Sequence, residues 1–474
     1  MSVNDRIVPL VLAVALFMEN MDSTVIATSL PAIAVDIDTS PIALKLALTA
    51  YLVSLAIFIP VSGWMADRFG AKNIFRTAIA VFMAGSVACA LSNSLTAFVV
   101  ARFLQGMGGA MMTPVGRLVL VRATPKKDLV AAMSWLSIPA LVGPLVGPPV
   151  GGFITTYLSW HWIFLINVPI GIIGIWLATR FLPMTPSAVT PRLDVPGFVL
   201  SGIAASGVVF GLSVMGLAAL PPYVGIVTTV VGLLSGAAYM FHARRAVNPL
   251  LALNLFDNQT FRASVLGGGL FRIGIGAVPF LLPLMLQIGF GLTPFQSGMI
   301  TFVSAIGALG MKLVTTWVFR VGGFRNVLVL GSLISAASVG INGLFTPATP
   351  YVLILAVLLA GGFLRSMFFT GINALTYAEI SPEDTSKATP IAAVAQQLSI
   401  ALGVAVAGGI LETSTHFHGG TLTLTDFHIA FFIVAGISAL AAIWFVRLAP
   451  DAGSAVSGHR NGSRAAAETA VSSH

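Results

Sequence analysis

Residues 7–30 read IVPLVLAVALFMENMDSTVIATSL, and this stretch decides the fold class. It is apolar over the roughly 20 residues that a helix needs to cross a bilayer, yet it contains Glu19 and Asp22. The two acids are three positions apart, so they share one face of a helix. An ionised side chain near the bilayer centre costs at least about 2.5–3.5 kcal/mol. We therefore expect both to face a cavity, a partner or a proton, which indicates proton-coupled transport.

The composition is that of a chain embedded in a membrane. Of 474 residues, 57% are hydrophobic and 8% are charged, whereas soluble domains contain roughly 25% charged residues. A mean hydropathy of +0.96 indicates many spans, and residues 7–30 are predicted to be a retained helix and not a signal peptide. The basic residues form no continuous patch, so we expect no nucleic-acid partner. Cys89 is the single cysteine, which excludes an intrachain disulfide.

The hydropathy pattern predicts an all-α polytopic membrane protein with fourteen transmembrane helices. Lys and Arg residues outside the spans fall in or beside alternate loops, which places both termini in the cytoplasm by the positive-inside rule. Six basic residues lie within spans: Lys45, Arg102, Arg117, Arg272, Lys312 and Arg365. The predicted spans are 7–30, 44–66, 74–92, 96–121, 129–153, 161–180, 196–217, 222–242, 262–287, 295–318, 326–345, 351–376, 388–411 and 427–447.

Two cytoplasmic turns resemble each other. Residues 64–74 and residues 317–327 each contain Trp, then Arg, then Gly, then a basic residue followed by Asn. This repeat predicts two parallel six-helix bundles with the substrate site between them. The corresponding divisions are 1–190 for the first bundle, 191–247 for two additional helices, 248–450 for the second bundle and 451–474 for a disordered cytoplasmic tail.

Five motifs resemble the major facilitator superfamily, in particular its fourteen-span drug:proton antiporter branch. They lie in the first half of the chain, and the overall resemblance extends over nearly the whole chain. The resemblance implies a major facilitator fold with two linking helices, and a proton gradient as energy source without a cofactor. The motifs are Asp22–Pro31, Gly63–Lys72, Arg102–Ala110, Gly143–Gly152 and Trp160–Pro169.

The first candidate site is for proton coupling and consists of Asp22, Glu19 and Arg102. At about 1.5 Å rise per residue, Asp22 and Arg102 lie at depths within a few Å of each other, although their helices run in opposite directions. An Asp22–Arg102 pair would keep Asp22 ionised until substrate or a conformational change separates the two groups. The alternative is that the acids and Arg102 make only structural contacts.

The second candidate site is a cytoplasmic gate. The resemblance implies that Gly63, Asp67, Arg68, Gly70 and Lys72 hold the inner ends of neighbouring helices in one state. Ordinary positive-inside topology is the alternative, and it explains Arg68 and Lys72 but not Asp67.

The third candidate site is the antiporter motif in the outer half of the fifth span. Small residues allow close helix approach and prolines bend the helix, so this run is predicted to seal the outer cavity. Generic glycine-mediated packing is the alternative. The residues are Gly143, Pro144, Gly147, Pro148, Gly151 and Gly152.

The fourth candidate site is a substrate cavity. Three cations, Arg272, Arg365 and Lys312, lie within spans of the second half, and that half has no acid deep in a span to balance their charge. They are predicted to reach Glu19 and Asp22, to bind backbone carbonyls or to bind an anionic substrate group. Apolar candidates for an adaptable lining, which core or lipid packing also explains, are Phe17, Met21, Phe271 and Phe369.

These features predict a transporter and not an enzyme. No Lys precedes Ser or Thr, so a Walker A phosphate loop is absent, and no convergent catalytic or metal set is evident. We predict proton-coupled secondary active efflux of amphipathic drugs or toxic small molecules by alternating access in the bacterial inner membrane. The partners would be the substrate, protons and the lipid bilayer, and the protein would be a monomer. The alternatives are an exporter of an anionic metabolite or lipid-like amphiphile, and an uncoupled facilitator.

Overall fold

The computed structural model describes residues 3–124, 129–184, 192–217, 220–311, 314–381, 383–417 and 421–458. All regular secondary structure in these ranges is helical. Fourteen long helices follow one another: α1 Val3–Val25, α2 Lys45–Phe69, α3 Ala71–Ala90, α4 Leu95–Ala123, α5 Leu129–Tyr157, α6 Asn167–Phe181, α7 Val195–Val214, α8 Pro222–Ala243, α9 Gly268–Leu284, α10 Pro294–Met311, α11 Thr315–Asn342, α12 Tyr351–Ala378, α13 Thr385–Phe417 and α14 Leu424–Ala439.

Twelve stretches in the described part of the chain are long and apolar enough to cross a membrane. They coincide with predicted spans, and the polytopic all-α class is confirmed. Helices α5 and α10 occupy the positions of the two other predicted spans. The count of fourteen and the cytoplasmic location of both termini stay predictions.

Glycines with positive φ form the two similar turns. Gly70 (φ +85°) separates α2 from α3, and Gly323 (φ +68°) kinks α11. Each glycine lies six residues after a tryptophan, Trp64 in the first turn and Trp317 in the second. Glycine reaches positive φ without the steric penalty that an L side chain meets. The repeat therefore aligns Gly70 with Gly323, the second glycine of the Gly322–Gly323 pair.

The two sets of helices, α1–α6 and α9–α14, share one apolar core at one end, which the predicted topology places on the outer side and which is called the outer end below. That outer cluster joins Val25 and Ile33 of the first set to Leu281, Leu411 and Phe427 of the second. Towards the inner side, each set has a separate core drawn from its own helices. The halves are thus closed against each other on the outer side.

Helices α7 and α8 pack against each other through glycines and lie beside the seam between the halves. Gly207 and Gly232 lie face to face, and a Cβ on Gly207 would be 2.8 Å from the Cα of Gly232. Val209 of α7 packs with Val53 of α2 and Ala401 of α13. Helix α7 therefore contacts both halves, and α8 packs on α7.

Asp194 anchors the inner end of this helix pair. It accepts hydrogen bonds from the Gly197 N–H, from the Leu250 N–H, and from the imidazole of His242 at 2.7 Å. Burial would raise the pKa of Asp194, but these donors outweigh it and hold the pKa below its usual range. The chain leading into the second half is thereby tied to α7.

The first residues of the predicted disordered tail are ordered. Ser454–Ser457 forms a short helix, and the Gly453 N–H donates to Glu379 Oε1 at 3.2 Å. Ala452 is buried in the inner core of the second half. The expectation of disorder therefore does not hold for 451–458, and 459–474 lies outside the described residues. The other domain divisions stay predictions.

Candidate functional site

Asp22 and Arg102 form a buried ion pair, as their depths predicted. Arg102 Nη1 lies 2.7 Å from Asp22 Oδ2, and both side chains are at most 1% exposed. Asp22 Oδ1 accepts from Gln105 Nε2 at 2.8 Å and from Asn167 Nδ2 at 2.7 Å. Ser86 accepts from both amides. All three partners of Asp22 are donors, the pattern that suits an ionised carboxylate.

Close packing of α4 against its neighbours sets the position of this network. A Cβ on Gly85 of α3 would overlap the backbone of Gln105, and a Cβ on Gly106 would overlap Tyr51. The Arg102 guanidinium lies 4.2 Å from the centre of the Tyr51 ring. Neither Arg102 Nε nor the Tyr51 hydroxyl has a hydrogen-bond partner in the part of the chain that the structure describes. The guanidinium is therefore enclosed, and most of its polar contacts go to Asp22 and Gln105.

Glu19 lies one turn inward of Asp22, also against α4. Thr113 Oγ1 donates to Glu19 Oε2 at 2.9 Å, and the Glu19 side chain lies beside Gly109 of the same helix, where an added Cβ would be 3.7 Å from Glu19 Cγ. Glu19 is half-buried. The two acids thus share a helix face, as predicted, but have different hydrogen-bond partners.

The charged residues of the predicted gate contact other helices of the first half. Asp67 Oδ1 pairs with Arg122 Nη2 at the end of α4, at 2.6 Å. Lys72 Nζ donates to the carbonyls of Thr179 and Leu182 at 2.9 and 2.7 Å. These contacts fasten the inner ends of α2 to α4 and of α3 to α6.

For Gly63 and Arg68, no hydrogen bond or ion pair to another described helix is present. A Cβ on Gly63 would meet nothing within 4 Å, and Arg68 is exposed. Packing in this conformation does not require a glycine at position 63. Gating by this motif stays a prediction.

The antiporter motif packs one face of α5 against α1. Added Cβ atoms on Gly147 and Gly151 would overlap Thr24 and Val25, and one on Gly143 would lie 3.0 Å from the Met21 nitrogen. These glycines recur every four residues, which places them on one helix stripe. Pro144 lies beside this stripe and is half-buried.

The next turn of the same motif contacts the second half. A Cβ on Gly152 would overlap the Pro294 carbonyl, and one on Gly298 would overlap the Pro148 carbonyl. The Phe295 N–H donates to Thr156 Oγ1 at 3.1 Å. The backbones of α5 and α10 are therefore in direct contact at the outer end.

A second bridge across the outer end was missed by sequence reasoning. Lys45 Nζ lies 2.5 Å from Glu412 Oε2, with side-chain exposures of 0% and 10%. Gly408 on α13 leaves the space that the Lys45 side chain occupies. The signal in the sequence was a lysine at the start of a span and a glutamate at the end of one, both on the outer side.

The two described span cations of the second half, Arg272 and Arg365, have neutral partners. Arg272 donates to Asn373 Oδ1 at 3.0 Å, and Arg365 donates to Ser304 Oγ at 2.5 Å. Neither guanidinium has an ion pair with Glu19, Asp22 or any other described acid. Lys312 lies outside the described residues.

The apolar candidates differ in their surroundings. Phe271 is 1% exposed and its ring lies 3.9 Å from that of Phe368, inside the core of the second half. Met21 is buried against α5. Only Phe17 and Phe369 are half-buried, so core packing, the alternative reading, applies to Phe271 and Met21.

Comparison with known proteins agrees with this arrangement. The sequence profile described as Major Facilitator Superfamily matches residues 12–268 and 264–472. The chain belongs to the Major Facilitator Superfamily. It is therefore a membrane transporter with many spans in the bacterial inner membrane, and its family consists of transporters and not enzymes. Within the described residues, no group of His, Cys, Asp and Glu side chains is arranged to hold a metal.

Curated relatives and solved structures align with nearly the whole chain. Putative multidrug resistance protein MdtD of Pectobacterium atrosepticum is 37% identical over 93% of this chain and 95% of its own. The same-named protein of Klebsiella pneumoniae is 37% identical over 94% and 95%. A D-xylose-proton symporter structure aligns with TM-score 0.68 at 16% identity over 94% and 98%. The POT family transporter PepTSo aligns with TM-score 0.69 at 14% identity over 93% and 97%.

Proposed function

We propose that this transporter exports amphipathic drugs or toxic small molecules in exchange for protons, by alternating access. The observation that supports the proposal is the buried Asp22–Arg102 pair with its two amide donors. Intramembrane ionisable groups of this kind are characteristic of proton relays. The relatives named MdtD are described as multidrug resistance proteins, which supports the substrate class.

Asp22 would carry the proton. In the outer-closed conformation Arg102, Gln105 and Asn167 donate to its two oxygens. When the outer side opens, water reaches Asp22, a proton from outside neutralises the carboxylate, and Arg102 loses its partner. Closing the outer side and opening the inner side would return the proton to the cytoplasm and reform the pair.

Glu19 would lie on the inward branch of the proton path. It is one helical turn further in than Asp22 on the same face and is half-buried. Because Thr113 is its only hydrogen-bond partner among the described side chains, Glu19 is freer than Asp22 to exchange a proton with water. One chain supplies both halves, so we propose that a monomer is the transporting unit.

The experiment is transport in proteoliposomes of known protein orientation under an imposed pH gradient. A panel of cationic, neutral and anionic amphiphiles is tested with the wild type, Asp22→Asn and the matched control Asp384→Asn, which lies on the surface outside the spans. We expect uphill movement in the wild type and control. Asp22→Asn should abolish uphill movement and retain downhill exchange.

Two outcomes would overturn proton antiport. If the wild-type flux of a transported substrate ignores the pH gradient, the protein is an uncoupled facilitator or uses another ion. If Asp22→Asn still concentrates substrate, the proton is carried elsewhere. The first result rejects the coupling, and the second rejects the role of Asp22.

A further inference from the structure

Two deep cations of the second half differ from Arg102 and Lys45, the buried cations of the first half. Arg102 is paired with Asp22 and Lys45 with Glu412. Arg272 and Arg365, in contrast, form no ion pair with any described acid and have single hydrogen bonds to neutral side chains. A charged side chain in the membrane interior is expected to pair or to mark a substrate or ion pathway. Arg272 and Arg365 are not paired, so the explanation that is left for them is a substrate or ion pathway.

Both guanidiniums lie along one stripe of α12. Arg365, Phe369 and Asn373 are spaced by four residues, so they occupy successive turns of the same face. Arg365 is itself on this stripe, and Arg272 reaches it from α9, donating to Asn373 with its Cζ 5.4 Å from the centre of the Phe369 ring. Eight residues correspond to about 12 Å along the axis. Half-buried Phe369 therefore lies between Asn373, which binds Arg272, and Arg365, whose Nη1 lies near Gly361 one turn further along the helix.

Each guanidinium has N–H donors that form no hydrogen bond with a described acceptor. Arginine carries five N–H donors, and one hydrogen bond to a described acceptor is present for Arg272 and one for Arg365. Arg272 is 3% exposed, and its Nε has no hydrogen-bond partner among the described residues. A planar fork of donors matches a carboxylate or phosphate better than any other group. The positive charge of the pair also disfavours a cationic ligand.

We propose that Arg272 binds the anionic group of an aromatic or amphipathic acid whose apolar body lies against Phe369, and that Arg365 adds to the positive potential of this site from the other side of the ring. The inference rests on the proposed efflux function and names the substrate class for it. The ligand's carboxylate would supply the negative charge that no described acid provides to Arg272 or Arg365. Ring contact with Phe369 would distinguish such an acid from a small inorganic anion.

The test is equilibrium binding to the purified full-length protein by titration calorimetry, without a gradient. The probes are three acid and amide pairs with the same ring: 1-naphthylacetate and 1-naphthylacetamide, indole-3-acetate and indole-3-acetamide, and benzoate and benzamide. The wild type should bind the acids at least tenfold more tightly than the amides. Arg272→Gln and Arg365→Gln should each reduce this preference at least fivefold. Arg245→Gln, at the end of α8 beside Phe241, should leave it unchanged.

Conservative variants separate charge from folding. Arg272→Lys and Arg365→Lys keep the positive charge and should retain part of the preference even if the Gln variants are unstable. Equal binding of acids and amides by the wild type would overturn the proposal, as would an undiminished preference in both Gln variants. If acetate binds as tightly as 1-naphthylacetate, the site holds a bare anion and the proposed substrate class is wrong.

The result is independent of the proton-coupling experiment. Binding is measured without a pH gradient and without changing Asp22. Proton-driven uphill transport of neutral or cationic amphiphiles, with equal acid and amide binding, would reject the anion site and leave antiport intact. Acid-selective binding together with a flux that ignores the pH gradient would reject proton antiport and leave the anion site intact.

Discussion

Replacing Lys45 by Met should open the outer side of the transporter. Lys45 and Glu412 join the outer ends of α2 and α13 at 2.5 Å, and they are nearly inaccessible to solvent in this conformation. In an outer-open conformation the two side chains separate and water reaches them. Removing only Lys45 leaves Glu412 buried without its cation in the closed state, and hydrated in the open state.

The size of the effect follows from this burial. Removing one partner of a buried ion pair costs about 3–5 kcal/mol. We take the lower value because Glu412 is 10% exposed. Since about 1.4 kcal/mol corresponds to tenfold in an equilibrium constant, Lys45→Met should raise the ratio of outer-open to outer-closed protein by roughly 100-fold. Lys45→Met/Glu412→Met removes both charges, so the ratio should return to near its wild-type value.

The assay is cysteine labelling from the outside. Thr28→Cys, in a Cys89→Ala background, introduces a thiol at a fully buried position whose backbone carbonyl contacts Gln287 of the other half. The rate of modification by a membrane-impermeant maleimide then reports the outer-open population. Unchanged labelling in Lys45→Met would refute the reasoning. Fast labelling that persists in the double variant would show that packing, not charge, closes this end.

Two further perturbations test the same interior. Gly152→Ala should disrupt the outer α5–α10 contact at a cost of about 1–3 kcal/mol and speed labelling of Thr28→Cys, whereas Gly409→Ala, which has open space around it, should not. Asn167→Ala removes a donor to Asp22 and should lower the free energy of unfolding by about 1–3 kcal/mol. Thermal unfolding should show a smaller loss when Asn167→Ala is made in Asp22→Asn, and equal losses would contradict the hydrogen bond.

The sequence predicted those features that depend on position along a helix. Hydropathy located the spans, because a bilayer needs a fixed length of apolar chain. Counting the rise per residue placed Asp22 and Arg102 at matching depths, and the 2.7 Å contact confirms the pair. Glycine spacing in 143–152 indicated close helix packing, which α1 and α10 provide.

Features that depend on how helices rotate and dock were not predicted. Ser86, Gln105 and Asn167 meet at Asp22 only after α3, α4 and α6 have been brought around α1. Lys45 and Glu412 are 367 residues apart, and their pairing depends on the closed arrangement of the two halves. A single sequence contains no rule that fixes this arrangement.

The candidate proton site and the proposed anion site lie in different halves. Asp22 and its donors belong to α1, α4 and α6, whereas Arg272 and Arg365 belong to α9 and α12. No hydrogen bond or ion pair among the described residues joins the two sites directly. Coupling between them must therefore pass through the relative positions of the halves, which the outer contacts help to set. For this reason, loosening the outer end should weaken the exchange of substrate for protons while leaving acid binding unchanged.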